Sequence, residues 1–212
     1  MRTDRPAPSR PHQPSLRTDH PSPRRSVRPA PLPPIELLDR IPAKAFTAAV
    51  APLFEGAPRF LSRLAEARPF GSLDELFGQA RVIAHAMPRA EQVELIDAHP
   101  RLGAPPASVS GLSFVEQGYE RDAAERTAVE SEAEPRRIAA ELDRLNAAYE
   151  DRFGFRYCVF VQGRSRTELL PAFAAALEAD RRAELSRALD AVVDIARDRA
   201  GRPATPPRAG PP

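Results

Sequence analysis

The apolar residues of "EPRRIAAELDRLNAAYEDRFG", residues 134–154, recur every three to four positions, and this spacing constrains the fold more than any other feature. One stripe along a helix is formed by five large side chains: Ile138, Leu142, Leu145, Tyr149 and Phe153. Such a stripe has to be buried against other elements. Gly154 follows it and fits the left-handed residue at which many helices end. The segment therefore predicts a long amphipathic helix.

The same periodicity continues through most of residues 35–200. "GSLDELFGQARVIAHAM" begins with Ser72-x-x-Glu75, a capping box, and Ser165 in "QGRSRTE" fits the N-cap of a later helix. "RAEQVELIDA" reads as a short helix from about Arg89 to Ala98. The last helical segment places Leu185, Leu189 and Val192 on one face. "FRYCVFV", residues 155–161, has strand composition but no partner strand, so we expect an extended buried connector. These patterns predict an all-α fold, a single compact domain of about seven to nine helices.

The two ends of the chain have a different composition. Residues 1–34 hold seven Arg, two Asp and ten of the 25 prolines, and residues 201–212 are also rich in proline. We expect both tails to be disordered, because they cannot bury enough apolar surface to offset the entropy of ordering. "PAPLPP", residues 29–34, also fits a polyproline II segment that docks in an aromatic groove.

Several classes of function do not fit this composition. Residues 35–200 hold 22 basic and 27 acidic residues, so the high pI belongs partly to the tails, and we expect no nucleic-acid binding. No apolar run approaches the roughly 20 residues of a membrane span. The chain contains one cysteine, Cys158, which excludes an intrachain disulfide. We expect a cytoplasmic protein without membrane contact.

His99 is one of four histidines, and it stands at the end of a helical run, before Pro100. Its position alone fits two roles. The imidazole could bond the free carbonyls of the helix end as a cap. Alternatively, the partial negative charge of those carbonyls could favour the imidazolium, which suits proton transfer near neutral pH.

"SFVEQ", residues 113–117, also has two interpretations. Ser113-x-x-Glu116 matches a capping box in which Ser113 begins a helix. The same hydroxyl, carboxylate and amide, with Gln117, could instead hold a polar anionic ligand at a helix N-terminus.

Arg199 lies on the flank of an apolar stripe, where it either extends to solvent or holds a carboxylate in a cavity. No HExxH, CxxC or clustered His/Asp ligands are present, so we expect no metal. No GxGxxG, Walker or GxSxG motif is present, so an enzyme with this sequence would use acid, base and arginine groups without a cofactor.

Six motifs in one order resemble 2-oxo-4-hydroxy-4-carboxy-5-ureidoimidazoline (OHCU) decarboxylase, the family that acts in uric acid degradation. They are "LFEGAP" (53–58), "ARPFGSLDEL" (67–76), "LIDAHPRLG" (95–103), "SFVEQ" (113–117), "LNAAYEDRFGFRYCVFVQGRS" (145–165) and "IARDRA" (195–200). The succession AHP, SxxEQ and YxxxFGF is the most specific part. The resemblance spans about residues 35–200 and implies an all-helical, usually dimeric decarboxylase without a cofactor, which converts OHCU to (S)-allantoin.

The resemblance also implies roles for particular residues. His99 and Glu116 match the family's catalytic histidine and carboxylate, and Arg199 matches its late arginine, although a shift of helix register would bring in Arg197. The remaining matches imply contacts with the substrate by Pro100, Ser113, Phe114, Val115 and Gln117, and by the backbone of Phe155, Arg156, Tyr157, Cys158 and Val159. The family usually has proline where this chain has Arg156.

Two other functions remain open at this point. One is a decarboxylase that acts on a related ring acid. The other is a helical interaction module that uses the Pro-rich N-terminal tail for docking. The interaction module explains the tail but gives no reason for the His, Glu and Arg set.

Overall fold

Nine α-helices make up the regular structure of residues 31–119 and 133–201, the part of the chain that the computed structural model describes. They are α1 (Ile35–Leu38), α2 (Ala43–Val50), α3 (Pro58–Glu66), α4 (Leu73–Ala86), α5 (Arg89–Asp97), α6 (Gly111–Glu116), α7 (Ala133–Phe153), α8 (Arg166–Ala176) and α9 (Arg181–Gly201). Two 3-10 turns occupy Ala51–Phe54 and Pro106–Ser108. Within these ranges no strand is present, which confirms the predicted all-α class. The predicted tail disorder falls almost wholly outside the described residues.

Several helix ends lie where the sequence predicted them. The Ser72 hydroxyl accepts a hydrogen bond from the Glu75 amide at 3.1 Å and begins α4. Ser165 and Glu168 form a complete capping box at the start of α8. Gly154 ends α7 with a φ of +74°, the left-handed conformation that glycine adopts without steric cost.

Helix α9 is the central element of the core. It packs against α4, α5 and the Ala51–Phe54 turn. Its predicted apolar residues Leu185, Leu189 and Val192 are all buried. Because α9 crosses the core, its last turn brings Arg199 beside the turn at residues 51–54.

The connector between α7 and α8 is extended and mostly buried, as the composition predicted. The buried Tyr149 ring on α7 contacts the rings of Phe155 and Tyr157 at centroid distances of 5.7 and 5.2 Å. From the other side, Arg187 on α9 donates a hydrogen bond to the Cys158 carbonyl at 2.9 Å. The connector is thereby fixed between α7 and α9.

None of the helices in residues 31–119 and 133–201 combines the length and the apolar character needed to cross a membrane.

Candidate active site

A small cavity of about 50 Å³ lies where the loop after α5, helix α6, the connector before α8 and the end of α9 meet. Nine residues of the predicted site line it: His99, Pro100, Ser113, Glu116, Gln117, Tyr157, Cys158, Val159 and Arg199. The sequence had not indicated six other lining residues: Leu102, Phe160, Val161, Gln162, Gly163 and Ile195. The three residues predicted as catalytic therefore share one cavity, although four different segments of the chain build it.

Four residues predicted to contact a substrate do not line this cavity. Phe114 stacks on Tyr119 at a centroid distance of 5.1 Å, and Val115 is 48% exposed. Phe155 is buried against Tyr149 in the core. Arg156 extends to the end of α5. The motifs "SFVEQ" and "FRYCV" identified two segments that line the cavity. Within these segments, however, the four side chains named above lie outside it.

The His99 imidazole is buried, at 4% exposure, and neither ring nitrogen has a hydrogen-bond partner among the described residues. No hydrogen bond of ordinary geometry joins the ring to the α5 carbonyls, although the Leu95 carbonyl lies close enough to the ring to favour its protonated form. The preference for the imidazolium is wrong, because burial and the charge of Arg199 lower the pKa of His99 from 6.5 to about 4. Glu55 and the Leu95 carbonyl raise the pKa of His99, but burial and Arg199 lower it by more. The ring is neutral at pH 7, and both nitrogens are available to a ligand.

Arg156 binds the backbone carbonyls at the end of helix α5. Its Nη1 donates to the Asp97 carbonyl at 2.7 Å and to the His99 carbonyl at 3.0 Å. The Arg156 amide donates to Asp97 Oδ1 at 2.8 Å. The Arg156 side chain thus binds the backbone at the end of α5, and Arg156 does not line the cavity.

The Arg199 side chain is almost fully buried, at 1% exposure, and it joins two carboxylates. Its Nε and Nη2 donate to the two oxygens of Glu116, each at 2.7 Å, and Nη2 also donates to Glu55 at 2.8 Å. Nη1 donates to the carbonyls of Pro52 and Leu53. All five N–H groups of the guanidinium are thus directed at protein acceptors.

Arg197, the alternative to Arg199, lies on the outer side of α9. It binds Asp74 at 2.9 Å and lies over the ring of Phe77, half exposed to solvent. Arg199 is therefore the arginine of this helix that faces the cavity.

Ser113 does not begin α6, so the predicted capping box of Ser113 and Glu116 is wrong. Ser110 is the N-terminal cap, and its hydroxyl accepts a hydrogen bond from the Ser113 amide at 3.1 Å. The buried Ser113 hydroxyl instead donates to Glu55 at 2.7 Å and accepts from Arg199 at 3.1 Å. Glu116, one turn later, binds Arg199 with both carboxylate oxygens.

Glu55 is the central acidic residue that the sequence reasoning missed. It follows the Ala51–Phe54 turn with a φ of +52°, a left-handed conformation that is uncommon outside glycine. Burial raises the pKa of its carboxyl, but Arg199 and the hydroxyls of Ser113 and Ser110 outweigh burial and lower it. Glu55 is therefore ionised at neutral pH. The available signal was its place in "LFEGAP", one of the motifs that carry the resemblance.

The loop that follows His99 is fixed from two helices. Gln117 accepts a hydrogen bond from the Gly103 amide at 2.8 Å and donates to the Arg101 carbonyl at 3.2 Å. Asn146 on α7 donates to the Leu102 carbonyl at 3.0 Å. These contacts connect "SFVEQ" and the long helix directly to the backbone beside the histidine.

The cavity offers polar groups for acid–base chemistry. The Cys158 thiol is buried, and burial raises its pKa to about 12, so it stays protonated at neutral pH. Among the described residues, no three His, Cys, Asp or Glu side chains are grouped so that they could hold a metal ion. The groups that remain are a neutral imidazole, two glutamate side chains bound to one guanidinium, and the backbone of the connector.

Known proteins with similar sequences act in uric acid degradation. The OHCU decarboxylase family model matches residues 39–201. The uric acid degradation bifunctional protein PucL of Bacillus subtilis is 33% identical over 162 residues, which cover 76% of this chain and 31% of that protein. A 2-oxo-4-hydroxy-4-carboxy-5-ureidoimidazoline decarboxylase of Haloferax volcanii is 26% identical over 162 residues, with 76% and 90% covered. The chain thus spans less than a third of the bifunctional relative.

Solved structures with the same fold carry related descriptions. An OHCU decarboxylase crystallised in the presence of (S)-allantoin superposes with a TM-score of 0.53 at 22% identity, covering 71% of this chain and 92% of that one. An (S)-allantoin synthase superposes with a TM-score of 0.54 at 17% identity, covering 79% and 52%. At these identities the likeness concerns the arrangement of the helices.

Proposed function

The chain belongs to the OHCU decarboxylase family, and from this premise we propose that it converts OHCU to (S)-allantoin and carbon dioxide. One relative named for uric acid degradation and one named as an OHCU decarboxylase are each similar over 76% of the chain. The observation that carries the proposal is His99, a buried neutral imidazole with both ring nitrogens unpartnered in a cavity beside Glu116 and Arg199. A buried polar group without a partner is costly, so its retention points to a ligand that binds it.

The proposed reaction needs no electron donor or acceptor. The bond between the ring carbon and its carboxylate breaks, and its electron pair forms a double bond to the neighbouring ring carbon, which bears the ureido group. The pair of the C=N bond moves to the ring nitrogen, which takes up a proton from water. The hydroxyl on the same carbon loses its proton and becomes a carbonyl. The ring carbon that bears the ureido group takes up a proton on one face, and the choice of face fixes the (S) product.

We assign the proton transfers to His99. A substrate carboxylate placed beside the imidazole raises the pKa of His99, because a negative charge favours the protonated ring. The neutral ring can then accept the hydroxyl proton and return a proton to the neighbouring carbon. Glu116 is held by Arg199 with both oxygens fixed, which suits it to accept hydrogen bonds from the N–H groups of the substrate.

Arg199 takes a different role from the one expected from the resemblance. Since its N–H groups are engaged by Glu55, Glu116, Ser113 and two carbonyls, a direct bond to the substrate would require one of these contacts to break. We propose that Arg199 orients Glu116 and Ser113 and keeps His99 neutral through its charge.

The test is the appearance of (S)-allantoin. Urate oxidase and the hydrolase that follows it generate OHCU in situ, and circular dichroism distinguishes (S)-allantoin from the racemate that forms spontaneously. We expect purified protein to accelerate the reaction and to give one enantiomer. A rate and a racemic product equal to those of the spontaneous reaction would reject the assignment.

We further propose that residues 35–200 form the whole catalytic unit and act as a homodimer, as the resemblance implies. The family match to residues 39–201 supports the first part. Light scattering of the purified protein tests the second, with twice the chain mass of 23.2 kDa expected.

A further inference from the structure

The end of helix α5 is held by a residue from a distant part of the chain. Arg156, in the connector after α7, donates from Nη1 to the carbonyls of Asp97 and His99 at 2.7 and 3.0 Å. Its own amide donates to Asp97 Oδ1 at 2.8 Å. Three hydrogen bonds from one residue therefore join the connector to the last turn of α5 and to the backbone of His99.

These contacts supply the hydrogen-bond donors and the positive charge that stabilise a helix C-terminus. The last carbonyls of a helix have no partner within the helix, and they carry partial negative charge. A guanidinium supplies both donors and a positive charge at this end. With the Asp97 and His99 carbonyls bound by Arg156, neither nitrogen of the His99 ring makes a hydrogen bond of ordinary geometry within the described residues.

We propose that Arg156 is a positioning residue, which holds the end of α5 so that the His99 ring stays buried and free for the substrate. This inference rests on the catalytic role given to His99 under the proposed function. Arg156 does not line the cavity, so it acts through His99 and makes no contact with the reacting atoms.

Loss of the Arg156 guanidinium changes the surroundings of the His99 imidazole in ways that raise its pKa. The titratable and charged groups that share the cavity or its polar cluster with His99 are Arg199, Glu116, Glu55, Tyr157 and Cys158. Without Arg156, the α5 carbonyls attract a protonated ring, and a loosened backbone admits water. Both changes favour the imidazolium, so the pKa of His99 rises from about 4 toward 6.5.

The test uses Arg156→Met in the full chain, with turnover and the His99 ring followed separately. We expect kcat for OHCU to fall by about tenfold or more, since displaced catalytic groups lose rate steeply, while KM changes by less than about twofold. NMR titration of the histidine rings should show the higher pKa of His99. His99→Asn assigns its signal among the four histidines.

Arg144→Met is the matched control, because Arg144 is exposed and pairs with Glu141 within α7. We expect wild-type kcat and a wild-type His99 titration for this variant. If Arg156→Met shows the same wild-type values, the proposal is overturned, even when the variant is less stable. The titration needs no substrate, so it tests Arg156 independently of whether the chain decarboxylates OHCU.

Arg156→Lys covers the case in which the methionine variant does not fold. Lysine keeps the positive charge but offers a single ammonium in place of the planar fork. We expect a smaller fall in kcat and a smaller rise in the His99 pKa than for full removal. Wild-type values for both quantities in the lysine variant would then overturn the proposal.

Discussion

At the scale of single residues, the centre of the site is an arginine shared by two carboxylates. Glu55 and Glu116 both bind Arg199 within 2.8 Å, and the Ser113 hydroxyl lies between Glu55 and Arg199. Buried charges are tolerated when they are paired and hydrogen-bonded. His99 adds no charge to this group because it is neutral. The cluster thus depends on each member keeping its partner.

Glu55→Gln should weaken this cluster measurably. Glutamine still accepts a hydrogen bond, but it removes one of the two negative charges that face the buried guanidinium. We expect the free energy of unfolding to fall by about 1–3 kcal/mol and kcat to fall with it. Urea unfolding and the allantoin assay measure the two effects.

Glu91→Gln is the control for that variant, because Glu91 forms a surface pair with Arg63 and Arg59 away from the cavity. It should leave both quantities near the wild type. A Glu55→Gln protein as stable and as active as the Glu91→Gln protein would show that Glu55 has no part in the site.

The buried histidine should also make stability depend on pH. The folded-state pKa of His99, about 4, lies below the ordinary 6.5, so the unfolded chain binds a proton that the folded chain does not bind between these values. Stability is therefore fully present above pH 6.5 and falls as the pH drops toward 4. The shift corresponds to about 3 kcal/mol.

Urea unfolding between pH 7.5 and 4.5 checks this contribution. Compared with wild type, His99→Asn should lose less stability on acidification. Parallel curves for wild type and His99→Asn would contradict a neutral buried imidazole.

At the scale of elements, the sequence predicted the helix faces and helix ends that depend on residues close together in the chain. The stripes of α7 and α9 and the caps at Ser72 and Ser165 depend on neighbouring residues, and the structure has them where predicted. Ser113 was assigned wrongly because Ser110, three positions earlier, fits the same local rule. Both hydroxyls also donate to Glu55, which lies 55 and 58 positions away. Local spacing carries no information about such a contact.

The loop that follows α5 needs glycine at position 103. Gly103 has a φ of +82°, and a Cβ built on it would lie 2.8 Å from Leu142 Cδ1. Gly103→Ala should lower the free energy of unfolding by about 2–3 kcal/mol and reduce kcat, because it displaces the backbone next to His99.

Gly71→Ala separates backbone strain from this overlap. Gly71 has a similar φ of +74°, but nothing lies within 4 Å of the added Cβ. Its cost should be about 1–2 kcal/mol, without an effect on kcat. Equal losses of stability in the two variants, with equal kcat, would remove the packing argument for Gly103.

At the scale of the whole molecule, the site exists because distant segments meet. Arg199 lies 144 positions from Glu55 and 83 from Glu116. The amphipathic pattern placed Arg199 on the flank of a buried stripe, but it could not show which residues bind its guanidinium. That depends on how α9 packs against α4, α5 and the Ala51–Phe54 turn. The resemblance supplied the set of residues, and the packing supplied their contacts.

Residues 1–30 lie before the segment that the family model matches. Leu32 packs partly buried against the core, and the family match starts at residue 39. Deletion of residues 1–30 should therefore leave kcat and KM within about twofold of the full chain. A large loss of turnover in the folded truncated protein would make the tail part of the active assembly.

The central claim is that the cavity around His99 is where OHCU is decarboxylated, and turnover of His99→Asn beside wild type tests it most directly. Asparagine retains a polar side chain but cannot transfer protons as imidazole does. With both proteins shown to be folded, we predict that (S)-allantoin formation falls by about a hundredfold or more. A folded His99→Asn protein that forms (S)-allantoin at the wild-type rate would contradict the account.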